Sequence, residues 1–237
     1  MPPRSCIRLA AVGILRPKID TLASSQRALW PQLGATPRHF VLYGGTALAL
    51  RLGHRESVDF DFFSSRPFQP LDLLRSIPYL ADQRAIQGVE NTLSCNVATP
   101  HGAVRVSFSG ALPLRQVVPP DLAEGNGLAI ASQLDLFGTK CVTIVQRSES
   151  KDYLDIHALL TRTGLTLSEG IAAAAAIYGS RYDPLMTLQA LSYFADLPEP
   201  IDEATKGELL AAVGRVSLAR LPAMSSACAI GFEADGA

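Results

Sequence analysis

Apolar residues recur along the first half of the chain with two different periods. From 19 to 33 they fall at Ile19, Leu22, Leu29, Trp30 and Leu33, the spacing of one helical face. His39 to Tyr43 (HFVLY) predicts a short buried strand that runs into Gly44-Gly45. Thr46 to Leu52 (TALALRL) predicts a helix that Gly53 stops. Residues 57–63 (SVDFDFF) alternate as a strand does, and Pro70 suits the first position of a further helix reaching about Ile77. Three strand-like runs follow, at 83–89, 91–98 and 103–109, with TPHG at 99–102 as a hairpin turn between the last two.

The second half has the helical period almost throughout. Pro119-Pro120 and Gly125-Asn126-Gly127 predict a loop. Helices are then predicted at 132–147, 151–162, 167–178, 184–195 and 202–218. Asp183-Pro184 is a cap followed by proline at a first helical position. The run of alanines at 172–176 reads as helix-favouring filler, and no internal repeat is present. The expected fold class is α+β: a mixed sheet flanked by helices, followed by a helical C-terminal half. The sheet domain is expected over 1–120, a helical portion packed against it over 121–220, and a loose tail over 221–237.

Composition agrees with a globular chain. Its 237 residues are 48% hydrophobic and 18% charged, enough for a sizeable core. With 21 Lys and Arg against 22 Asp and Glu, the net charge of −1 offers no global attraction for nucleic acid, so any such contact needs a local patch. Cys6, Cys95, Cys141 and Cys228 are scattered and lack metal-ligand spacing, as expected of a reduced, cytoplasmic protein. The apolar run Leu9 to Leu15 is followed at once by Arg16-Pro17-Lys18, without a small-residue cleavage site, so it is not read as a signal peptide. No apolar stretch approaches the roughly 18 residues of a membrane span, and no membrane partner is expected.

Chemistry concentrates in YGGTALALRLGHRESVDFDFF, residues 43–63. On a strand, Asp59 and Asp61 share one face while Val58, Phe60 and Phe62 share the other, which can bury. Two carboxylates so close repel each other unless a cation sits with them or one is protonated. Mg²⁺ relieves that repulsion and creates a site for phosphate chemistry. A strand that ends in Gly44-Gly45 and opens a helix lets backbone N–H groups approach an anion, and the helix N-terminus adds partial positive charge. The Thr46 hydroxyl, His54 and Arg55 are further candidates for a triphosphate. Gly-Gly before a helix is most often only a tight turn, and Asp-x-Asp most often only a solvated strand face. Their order here, with thirteen residues (46–58) between them, is far more specific.

This stretch resembles motif I of the nucleotidyltransferases related to polymerase β. Within that superfamily GGTALALRLGHRESVDFDFF is most similar to the AbiEii/AbiGii-type nucleotidyltransferase toxins, whose pattern runs GGTAL…HR-S-DIDFF. The resemblance covers roughly residues 38–195 and implies a nucleotidyltransferase-type sheet. It further implies transfer of a nucleoside monophosphate from an NTP to an acceptor, with Mg²⁺ held by Asp59 and Asp61. Gly44, Gly45 and Thr46 would cradle the phosphates, and Ser57 matches the family's serine, which by itself could serve only a turn. The acceptor would be an RNA such as tRNA. The biological setting would be a toxin–antitoxin or phage-defence pair with a separate antitoxin.

A second group lies in LDLFGTKCVTIVQRSESKDYLDIHALL, residues 134–160. Lys140 and Arg147, seven apart, lie on nearly one helical face, and Asp152 and Asp155 share a face of the next helix, while Ile156, Leu159 and Leu160 line its core side as a separate stripe. Spacing alone favours solvated helices carrying surface ion pairs. By the resemblance, Lys140 would hold the nucleotide's phosphates, with Arg147 and Lys151 beside it. Asp152 or Asp155 would orient these basic groups or take the acceptor's proton.

One element of the superfamily pattern is missing. A third carboxylate is expected on the strand beside Asp-x-Asp, yet no Asp or Glu occurs from 91 to 120. Alternation over 103–109 sets Val104, Val106 and Phe108 on one face and Arg105, Ser107 and Ser109 on the other, which leaves Ser107 in the acid's place. Asp152 or Asp155 could complete the site, one metal could suffice, or the protein could bind nucleotide without turnover. A small-molecule acceptor and a non-catalytic binding module are therefore the rival readings. Cys141 and His157 read as ordinary helix residues and His101 as a turn residue. Tyr153 and Tyr182 read as packing rather than base-stacking groups.

Overall fold

The structure, a computed structural model, describes residues 12–226 and 228–231. Two compact units result. Of these described residues, 12–114, Pro119–Ser132 and 228–231 form the first, and Arg115–Val118 with Gln133–Ser226 the second. In chain order the regular elements begin with β1 (Ile14–Leu15), α1 (Ser24–Leu29), β2 (Val41–Tyr43), α2 (Gly44–Leu52), β3 (Asp59–Phe63) and α3 (Pro70–Ser76). β4 (Ala85–Val89), β5 (Thr92–Thr99), β6 (Gly102–Ser109), β7 (Arg115–Gln116), β8 (Asp121–Ala123) and β9 (Ala129–Ile130) follow. Then come α4 (Gln133–Gln146), α5 (Ser150–Arg162), α6 (Leu167–Tyr178), α7 (Pro184–Leu191) and α8 (Glu203–Gly214). The expected α+β class holds, with a mixed sheet and a helical C-terminal half.

The first unit is one eight-stranded sheet in the order β1-β8-β9-β2-β3-β6-β5-β4. β3 lies antiparallel to β2 and parallel to β6, and β6 is antiparallel to β5. One face of its centre is apolar: Phe60 and Phe62 of β3, Leu93 and Cys95 of β5, and Val106 and Phe108 of β6 are all buried. Phe62 stacks on Phe108 with ring centroids 5.0 Å apart, and Phe40 meets Phe108 edge-on at 5.1 Å. This face holds β3 in register, so the opposite face presents the aspartates at defined positions.

Several expectations are corrected in this unit. The helix expected over 19–33 is broken into a 3-10 turn at Ile19–Thr21, α1, and a second 3-10 stretch at Trp30–Ala35, because Pro31 removes a backbone donor just where α1 ends. β3 starts at Asp59 rather than 57, and Val58 is 63% exposed instead of joining the buried face. The loop expected at 119–131 contains β8 and β9, which continue the sheet past residue 120. Strands of two or three residues carry no readable period. They form because α2 anchors them: Arg51 donates to the carbonyls of Ala131 (2.7 Å) and Ile130 (3.0 Å) and pairs with Asp121 at 2.7 Å. The tail expected over 221–237 is not loose at 228–231, where Ile230 is buried and accepts a hydrogen bond from Ser65 N–H.

The second unit is built around α4 and α6. Gly138 of α4 passes so close to α6 that a Cβ there would stand 2.9 Å from Ala174 N, and a Cβ at Gly170 would stand 2.6 Å from the Phe137 ring. The alanine run is thus more than filler: Ala172, Ala173 and Ala174 are buried and give α4 its close approach. Gly138→Ala is expected to destabilise the fold by about 1–3 kcal/mol despite alanine's better helix propensity, because the obstacle is backbone. Urea unfolding of the variant checks this. Caps fall where the sequence places them: Thr166 and Glu169 form a capping box at α6, and Asp183 accepts from Leu185 N–H at α7. The last two helices end at Leu191 and Gly214, short of the expected 195 and 218. Among the described residues, no helix is long and apolar enough to cross a membrane.

Candidate active site

Asp59 and Asp61 project from the polar face of β3, both partly exposed. The α2 N-terminus lies on their β2 flank. Tyr43, the last residue of β2, is paired with Asp61, so the chain turns into α2 directly beside that carboxylate. Gly44 makes the turn with φ +74°, and a Cβ there would lie 3.0 Å from Asp61 Oδ2. Gly45 is required for a different reason. A Cβ on it would come 2.5 Å from Arg55 Nη2 and 3.0 Å from Ser57 Oγ, so the Arg55 guanidinium lies against the first turn of the helix. That turn has backbone N–H groups without intrahelical partners and a guanidinium close by, an arrangement suited to phosphate oxygens.

Thr46 sits in the same turn, but its side chain is buried and its hydroxyl is used within the fold. It donates to the Asp59 carbonyl and shares a 2.9 Å hydrogen bond with Ser57 Oγ. Thr46 and Ser57 thereby tie α2 to the start of β3 and set the height of Asp59. What Thr46 can offer an anion is its backbone N–H. His54 is half-buried in the turn after Gly53, between α2 and β3. Gly44→Ala combines a left-handed backbone position, costing about 1–2 kcal/mol for an alanine, with pressure on the Asp61 carboxylate. It is expected to lower activity roughly tenfold or more, by analogy with small displacements of reacting groups. Steady-state assays beside thermal melting separate the two effects.

On the other flank of β3, the β6 register pairs Asp59 with Arg105 and Asp61 with Ser107. Ser107 therefore stands beside Asp61, where a third carboxylate would be sought. Among the described residues, no group of three or more His, Cys, Asp or Glu side chains is arranged to hold a metal ion. Two adjacent carboxylates without imidazole or thiolate still fit a hard divalent cation of the Mg²⁺ type, which is often held by one or two carboxylates together with substrate phosphates and water.

The residues singled out in the helical half form a separate cluster within the second unit. Lys140 Nζ lies 2.5 Å from Asp152 Oδ1 and 2.6 Å from Asp155 Oδ2, and all three side chains are buried. Arg147 Nε donates to Asp152 Oδ2 at 2.9 Å, and its side chain is 45% exposed. Two cations and two carboxylates balance, which is what a buried ionic group requires. Spacing alone favoured surface ion pairs here. The structure instead buries Lys140, Asp152 and Asp155, because the two aspartates lie on the core face of α5 with Ile156 and Leu159. Lys151 is exposed and pairs with Glu149 at 2.6 Å. Tyr153 is buried and donates to the carbonyls of Ala190 and Tyr193, so it packs rather than stacks. Burial raises the Cys141 thiol well above its usual pKa, which leaves it inert.

A mixed sheet with a Gly-Gly turn into a helix and a paired Asp-x-Asp strand defines the nucleotidyltransferase class. Comparison with solved structures supports that fold. MenT4, a nucleotidyltransferase toxin from Mycobacterium tuberculosis H37Rv, superposes with a TM-score of 0.55 at 18% identity, over 82% of this chain and 83% of that one. A structure from H. pylori, assigned by its description to the nucleotidyltransferases, gives 0.51 at 21% identity, over 80% and 90% of the two chains. The family model described as nucleotidyl transferase AbiEii toxin, type IV TA system, matches residues 32–222. The chain belongs to this AbiEii nucleotidyltransferase family. An uncharacterized protein of Aquifex aeolicus, aq_aa25, is 32% identical over 166 residues, which is 69% of this chain and 78% of that one.

Proposed function

We propose that this nucleotidyltransferase moves a nucleoside monophosphate from an NTP to a hydroxyl of an RNA, of which tRNA is the first candidate. It would act in the cytoplasm as the toxin of a toxin–antitoxin or phage-defence pair, with a separate antitoxin protein. The observation that carries the reading is the placing of Asp59 and Asp61 on one strand face, with the Gly44-Gly45 helix N-terminus against Asp61. The type IV description of the family supports the toxin role and the antitoxin partner.

In this reading the first turn of α2 and the Arg55 guanidinium bind the triphosphate. Asp59 and Asp61 would hold Mg²⁺, which when bound supplies charge neutralisation at the phosphates and orients the oxygens. The acceptor oxygen forms a bond to the α-phosphorus, the bond from that phosphorus to the bridging oxygen breaks, and pyrophosphate leaves with the electron pair. The hydroxyl proton passes to solvent or to a site carboxylate. Asp152 and Asp155, buried and each engaged by Lys140, suit the orienting role better than the proton-accepting one. Arg147 is the solvent-facing cation of that cluster. Loss of Lys140 should be read in stability.

The test is label transfer: protein, Mg²⁺, each of four α-labelled NTPs in turn, and total tRNA. Label on RNA that disappears in an Asp59→Ala/Asp61→Ala variant is the expected result, and it names the NTP. Label on a small molecule and never on RNA would overturn the RNA reading. Ser107 in the third acid's place favours one other outcome, Mg²⁺-dependent NTP binding without pyrophosphate release.

A further inference from the structure

The polar face of the sheet continues past the aspartates, and its chemistry changes sign there. Asp59 and Asp61 face the α2 N-terminus on the β2 side. On the β6 side they face Arg105 and Ser107, and one strand further Asn96 and Ser94 of β5. Residues paired across neighbouring strands share a sheet face, and the strands are about 4.8 Å apart, so these groups form one contiguous strip. Ser94 is buried, its hydroxyl lies 3.2 Å from Ser107 Oγ, and it accepts from Arg105 Nε at 3.3 Å. The guanidinium is thus steered through its Nε, which leaves the Nη edge for another partner. Among the described residues, Arg105 forms no salt bridge, although Asp59 is its register neighbour.

A fixed cation and two hydroxyls beside a carboxylate pair disfavour a further cation and suit an anion. The other flank already provides for the triphosphate. We propose that Arg105, positioned by Ser94 and Ser107, seats a phosphate of the acceptor: the phosphodiester next to the hydroxyl that is modified. Ser107 is then part of an acceptor-phosphate seat and not merely a missing acid. The site selects an acceptor carrying a phosphodiester near its reactive hydroxyl, as a nucleic-acid strand does, and disfavours neutral or cationic small molecules. This inference deepens the proposed transfer to RNA and rests on it for the identity of the acceptor.

The experiment is equilibrium binding of a 5′-fluorescent single-stranded RNA hexamer, measured by anisotropy. A second hexamer carries an uncharged methylphosphonate in place of its last phosphodiester. Wild type, Arg105→Gln and Arg105→Lys are compared, with NTP affinity measured in parallel. Arg105→Gln is expected to weaken hexamer binding about tenfold, the loss of one charge-assisted contact of roughly 1.5 kcal/mol. NTP affinity should not change, and Arg105→Lys should recover part of the loss. The methylphosphonate should cost wild type a similar factor and cost Arg105→Gln nothing more. No binding of the hexamer by wild type, equal binding by Arg105→Gln, or a loss confined to NTP would overturn the inference. Label transfer is scored separately. Transfer to tRNA with no Arg105 effect sinks the acceptor seat alone. An Arg105 effect on hexamer binding without transfer to RNA sinks the proposed function alone.

Discussion

Asp59→Asn and Asp61→Asn are each expected to lower nucleotidyl transfer by about 10²–10³-fold or more, the range seen when one preorganised electrostatic group is lost. The double variant is expected to be little worse than either single one, because in the proposed role both carboxylates would act on one ion, and such groups are not additive. Stability should move the other way. The two carboxylates lie two residues apart on one strand face, about 6.6 Å along the strand, and their repulsion is relieved when one becomes neutral. Without metal the melting temperature of Asp59→Asn is therefore expected to hold or rise slightly. Wild type should gain stability on addition of Mg²⁺ and NTP through linkage, and the Asn variants should lose most of that gain. Transfer assays beside melting curves with and without Mg²⁺ check both parts. A variant that loses activity together with several degrees of intrinsic stability would mean that the pair is structural.

Lys140→Met has its largest effect on folding. It removes the cation that lies 2.5 and 2.6 Å from two fully buried carboxylates, leaving one positive charge, on Arg147, against two negative ones. Breaking a buried pair by removing one partner costs about 3–5 kcal/mol, since the remaining charge is left uncompensated. For a chain of this size each kcal/mol corresponds to roughly 2–4 °C in melting temperature. The discriminating control is Lys140→Met in an Asp152→Asn/Asp155→Asn background. If the cost arises from stranded carboxylates, the triple variant is more stable than Lys140→Met alone. If lysine packing dominates, the triple variant is less stable. Denaturant midpoints on the three proteins decide this.

Much of β3 and its neighbour β6 was legible because their signals are local. Alternation in SVDFDFF put Asp59 and Asp61 on one face, and alternation over 103–109 put Arg105 and Ser107 on the polar side of β6. The buried Val104, Val106 and Phe108 match that register. Gly44 and Gly45 were legible as a turn, but the contacts that make each necessary, with Asp61 and with Arg55, join segments remote in sequence. Thr46 shows the limit of reading a motif by type. Its hydroxyl is the right group for a phosphate, yet it is committed to Asp59 and Ser57. Strands β8 and β9 were not legible, since two or three residues define no period until Arg51 and neighbouring strands supply partners.

The sequence by itself determined the α+β order of elements, the family motif, and which residues of β3 and β6 share the polar face. These depend on periods of two and 3.6 residues and on near neighbours. Only the tertiary structure decided that Lys140, Arg147, Asp152 and Asp155 form a charge-balanced cluster in which Lys140 and both carboxylates are buried. Only it set Ser94, from a third strand, beneath Arg105. Burial and pairing across the fold depend on which surfaces exclude water, and one segment's spacing does not contain that information.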